Sequence, residues 1–172
     1  MTISTRSVLI LLLGLFFWSC NQGKHSGTKD VYLEGNNPAV TPKTTDVVSG
    51  YMQLKDAFVA TDFNAAKVAA ADFKYVVTGK VDATFEKVLV SVSDKIIVSQ
   101  DIEQQRKFFE QISELMYALA QNGQFGEKTL YKQYCPMAFN DKGAYWLSLD
   151  DNILNPYFGD KMLKCGYIEE IL

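Results

Sequence analysis

Histidine is nearly missing from this chain: its 172 residues include one, His25, beside three cysteines, Cys20, Cys135 and Cys165. A cysteine nucleophile ordinarily needs an imidazole partner, and hydrolytic triads and H-E-x-x-H zinc sites need histidine outright. Glycine-rich phosphate loops are absent as well. The chain is therefore expected not to be an enzyme. An excess of basic charge is also missing. The formal net charge is -3, so no positive field points to nucleic acid. Long apolar runs are lacking too. The longest, Val8 to Trp18, is broken only by Gly14. As a helix it rises roughly 16 Å, about half of a ~30 Å hydrocarbon core, so it is too short for a stable span.

What the run does fit is an export signal, with Arg6 as its positive start. It ends F-W-S-C, with Ser19 before Cys20. This resembles a lipobox, in which the cysteine thiol takes a diacylglycerol and becomes the mature N-terminus. Trp18 is bulkier than the usual residue there. The run also fits an ordinary cleaved signal with Cys20 incidental. On the lipoprotein reading, residues 1–19 are a signal peptide. Residues 20–45 are a lipid-anchored linker rich in Asn, Gly, Thr, Lys and Pro, and residues 46–172 are the folded domain. His25 falls in the linker as a solvated residue. The anchor would hold the protein to a membrane in the cell envelope, facing the periplasm. That compartment is oxidising, so a disulfide between Cys135 and Cys165 is permitted.

Four amphipathic segments follow. Asp46 is a good N-cap, and Val47, Tyr51, Leu54 and Phe58 come after it at helical spacing up to about Asp62. A second helix is expected from about Asn64 to Val77, with Phe63, Ala66, Ala70, Phe73 and Val77 on one face, stopped by Gly79. In the third, Ala83 to Val98, the valines would suit a strand, but alternation fails at Val88, Leu89 and Val90, so a helix is expected. The fourth carries the stripe Ile102, Phe108, Phe109, Ile112, Leu115, Met116 and Leu119, opened by Asp101 with Gln104 and ended by Gly123. Met116 reads as core filling. The expected fold is all-α, an antiparallel bundle of roughly four helices with an irregular C-terminal sulfur-bearing segment.

In that segment Thr129 to Tyr134 is β-prone, Asn140 to Gly143 is a turn, and Ala144 to Leu149 is apolar and aromatic. Cys135 and Met137 straddle a proline in an extended piece, which sends both to one side. Met162 and Cys165 share a face if Gly159-Asp160 starts a helical turn. The two pairs converge if the segment folds back like a hairpin.

The motifs C-P-M-A-F, W-L-S and N-P-Y-F-G-D-K-M-L-K-C-G resemble a domain-of-unknown-function family of exported proteins. The same domain is found appended to periplasmic adaptor subunits of copper/silver efflux systems. The resemblance runs from roughly Val47 to Gly166 and includes D-I-E-x-Q-R from Asp101 to Arg106. It implies a helical domain, a heavy-metal role and an efflux adaptor as partner. Soft thiolate and thioether donors agree with Cu(I), or Ag(I) as its analogue, held by Cys135, Met137, Met162 and Cys165. Zinc is disfavoured by two cysteines without histidine. The sequence departs from the heavy-metal pattern Y-x-C-P-M-H, because Ala138 stands where that pattern has histidine. The alternative is a Cys135–Cys165 disulfide adding on the order of 3–4 kcal/mol to a helical interaction module without a metal role. Met137 and Met162 would then be packing residues.

Overall fold

The structure, a computed structural model, describes residues 46–172. The expected signal peptide, linker, Cys20 and His25 lie outside the described residues.

Four helices come first: α1 (Val47–Val59), α2 (Phe63–Val77), α3 (Ala83–Val98) and α4 (Ile102–Gln121). Each starts at an aspartate whose carboxylate accepts backbone N–H groups of the first turn. Asp46 takes Ser49 N, Asp62 takes Asn64 N and Ala65 N, Asp82 takes Thr84 N, and Asp101 takes Gln104 N. Such a cap satisfies donors that the helix itself cannot. At α4 the Gln104 side chain reaches back to Gln100 N, one residue before the cap. The expected spans hold for α3 and α4. Helix α1 ends earlier than expected, because Thr61 adopts φ 55 and turns the chain towards α2.

Connections of three to five residues make each helix pack on the next. The seam holds Tyr51, Leu54, Phe58, Ala66, Ala70, Phe73, Leu89, Ile96, Phe109, Ile112 and Met116, all fully buried. Met116 sits in the core as expected, whereas Val88 of α3 is 42% exposed.

The all-α expectation is corrected by the last third of the chain. Strands β1 (Tyr131–Cys135), β2 (Ala144–Ser148) and β3 (Tyr167–Ile171) form an antiparallel sheet in the order β2-β1-β3. The β-prone 129–134 stretch and the aromatic 144–149 stretch pair as a hairpin, Tyr131 opposite Ser148 and Cys135 opposite Ala144. β3 was not visible as a strand. Its Y-I-E-E-I pattern is mostly exposed, and pairing with β1 is what orders it. Lys132–Glu169 at 2.8 Å and Tyr117 Oη donating to Glu170 at 2.6 Å tie down its two glutamates.

The sheet is seated on α4 through β2. Trp146 and Leu147 are fully buried, and Leu147 N donates to the Tyr51 hydroxyl, which itself shares a 2.8 Å hydrogen bond with Ser113. Tyr157 continues the aromatic core, 5.9 Å from Phe109 and 6.0 Å from Trp146 between ring centres.

Candidate functional site

The sulfurs of Cys135 and Cys165 are 2.9 Å apart, and both are free thiols. Cys135 is fully buried at the end of β1, where alternation along Y-K-Q-Y-C turns Gln133 and Cys135 inward. Cys165 is half-buried just before β3. The register of the two strands sets Tyr134 opposite Tyr167. Gly166 is what lets the chain come in so close. Its φ is +140, and a Cβ there would stand 2.8 Å from the Tyr134 carbonyl and 3.0 Å from the Trp146 ring. Any side chain would push residue 165 away from β1.

The hydrogen bond with Cys135, then burial and the charge of a Cys135 thiolate, push the Cys165 thiol up from 9.0 to about 11.

The methionines stand differently. The expectation that Cys135 and Met137 share an extended piece fails after Pro136, because Met137 has φ -87 and ψ -9. Its side chain, 46% exposed, lines an open pocket of about 400 Å³ with Phe139, Tyr157, Phe158, Glu103 and Lys107. Neither cysteine nor Met162 is among that pocket's walls. The 3-10 turn, Gly159–Lys161, stops before Met162, whose φ -149 and ψ 56 end it. Met162 and Cys165 therefore do not share a helical face. They are linked through the backbone, Cys165 N donating to Met162 O at 3.0 Å. Of the four expected ligands, the structure brings the two thiols together and sets Met137 in a separate pocket.

Between Met137 and β2 the chain makes a left-handed turn. Phe139, Asn140 and Asp141 take φ 53, 58 and 62. Each non-glycine residue in that region costs about 1–2 kcal/mol. The turn is closed by Gly143 N donating to Ala138 O at 3.0 Å, and Phe139 packs edge-on against Tyr157 at 5.2 Å.

Two supporting residues escaped the sequence reading. Arg106 is 1% exposed. Its guanidinium donates to Pro156 O, Phe58 O and Thr61 Oγ1 and pairs with Glu103 at 2.9 Å. Asn155 is fully buried beneath the sulfur loop. The run D-I-E-x-Q-R carried the signal for the first and N-P-Y-F-G for the second, but neither motif shows on its own what it touches. Among the described residues no group of three or more His, Cys, Asp or Glu is clustered as a metal site.

The molecule is thus a helical domain with a small antiparallel sheet that carries a thiol pair. Residues 47–128, just under half of the chain, match the family model described as "Protein of unknown function (DUF3347)". That similarity covers α1 to α4 and stops before the sheet and the sulfur-bearing motifs. No curated protein and no solved structure matches the chain.

Proposed function

We propose that this protein binds a soft heavy-metal ion, Cu(I) foremost and Ag(I) as its analogue. It would hold the ion for sequestration or pass it to an efflux system through an adaptor protein. The single observation that carries the reading is the 2.9 Å contact between Cys135 and Cys165. Two thiols so placed are soft donors with one aim, and soft donors select monovalent copper and silver. Two sulfurs sharing one ion at ~2.3 Å stand roughly 3.7 Å or more apart. The pair therefore needs to open by about an ångström or more. Met137 and Met162 stand two and three residues from the thiols in sequence and would be the supporting donors, Met137 only after turning from its separate pocket. On this reading the protein is a carrier rather than a catalyst. Cys20 takes the lipid that holds it to the membrane, facing the periplasm.

A titration of reduced, oxygen-free protein with Cu(I) against a competing chelator tests the proposal. One ion per chain is expected, with loss of binding in Cys135→Ser. Unchanged binding in that variant removes the proposal.

The same contact favours a second reading. A disulfide needs its sulfurs at about 2 Å, and the pair is as near to that distance as to coordination. In this reading the bridge staples β1 to the loop before β3, and the domain is a docking module. Thiol counting after exposure to air, with and without bound Cu(I), separates the two. A bridge that forms regardless of copper favours the staple; protection by copper favours the carrier.

A further inference from the structure

We infer that Asn155 is the positioning residue that sets the spacing of the two thiols. The inference rests on the reading of the sulfur pair as the functional site. Every polar atom of Asn155 has a hydrogen-bond partner. Its Nδ2 donates to Cys165 O at 2.7 Å. Its Oδ1 accepts from Tyr157 N at 2.8 Å and Phe158 N at 3.1 Å. Its backbone N donates to Leu163 O and its carbonyl accepts from Gly159 N, both at 2.9 Å.

The two ends of the side chain do different work. The carbonyl end forms an Asx turn that starts the loop towards the 3-10 turn. The amide end crosses the loop and holds the backbone of the thiol-bearing residue itself. Asn155 is 0% exposed, so no water replaces a lost bond there at low cost. Behind it, Arg106 Nε holds the Pro156 carbonyl at 3.0 Å, which fixes the loop to α4. Cys135 is carried on a strand paired on both sides and needs no such support. Cys165 lies in a loop, and its position against β1 is held by this amide and by the close passage at Gly166.

The test separates the two ends. Asn155→Ser keeps a short hydroxyl that can accept from the Tyr157 and Phe158 amides as an ST turn. It is too short to reach the Cys165 carbonyl. The readout is the metal-free equilibrium of the full chain with glutathione, in the presence of a chelator. In that reaction oxidised glutathione takes two electrons from the Cys135–Cys165 dithiol. One intramolecular S–S bond forms, one glutathione S–S bond breaks, and two glutathione thiols take up the protons. The expected result is a fall of about tenfold or more in the equilibrium constant, because a released loop lowers the effective concentration of one thiol at the other. An unchanged constant in a folded variant overturns the inference.

A measurement on the unaltered protein covers a variant that fails to fold. The Asn155 side-chain amide protons should be protected from exchange in the reduced state. Free exchange of those protons overturns the inference equally. Neither result depends on copper, so a failure of metal binding and a failure of this inference are distinguishable.

Discussion

The helical body and the sheet lobe are held by different kinds of interaction. In the body, each helix is started by an aspartate acting over two or three residues, and successive helices pack on one another through their apolar stripes. In the lobe, order comes from contacts that cross large stretches of sequence. Arg106 reaches Pro156, Tyr51 reaches Leu147, and Thr61 donates to Asp160. The body can lose a local contact and keep its shape. The lobe depends on a few polar groups buried where the two regions meet, so its geometry should fail first.

Arg106→Met is the hardest way to break this arrangement. It strips the donors from Pro156, Phe58 and Thr61 while leaving their oxygens buried. A loss of about 3–5 kcal/mol is expected, read as a lowered midpoint in denaturant. The near-ultraviolet signal of Trp146 should disappear before the helical signal does.

Gly159→Ala attacks the same junction from the lobe. Its φ is +58, and the new Cβ would meet Thr61 Oγ1 and crowd Arg106 Nη2 at 2.8 Å. About 2–3 kcal/mol is expected from strain and overpacking together, read in the same unfolding experiment.

Alkaline pH tests the seam between the regions without mutation. Burial raises the Tyr51 and Tyr157 phenols above the ordinary tyrosine value of 10.0. A raised folded-state value means that the stability these groups contribute is whole below the ordinary value of 10.0 and is lost as the pH climbs from there towards the raised one. Thermal unfolding should therefore be level between neutrality and pH 9 and fall steeply above pH ~10. Tyr51→Phe should blunt the fall, although it also removes the acceptor for Leu147 N.

Asp46→Ala is the mildest change and should be confined to the body. Removing the α1 cap costs about 1 kcal/mol, and the thiol pair's equilibrium with glutathione should be unmoved. A shift at the thiols from this variant would break the separation between the two regions.

The same contrast explains how much was legible from the residues. Caps such as Asp46 and Asp101, and stripes such as Ile112–Met116–Leu119, act within one or two turns, so a short window of sequence contains both partners. β3 was hidden because Glu169 and Glu170 interrupt its apolar pattern, and its order comes from Lys132 and Tyr117, dozens of residues earlier. The meeting of Cys135 with Cys165 was expected from the motifs and a hairpin-like return of the chain. The means of that return was not: Gly166 passing under Tyr134, and Asn155 holding the Cys165 carbonyl. Local periodicity also misplaced Met137 and Met162, because both sit where the backbone leaves regular structure.

Metal-edge X-ray absorption on copper-loaded, oxygen-free protein tests the central claim most directly. The account predicts a first shell of sulfur alone, two or three atoms at ~2.3 Å, that falls by one atom in Cys165→Ser. A first shell of nitrogen or oxygen, or a sulfur shell untouched by that substitution, would contradict it.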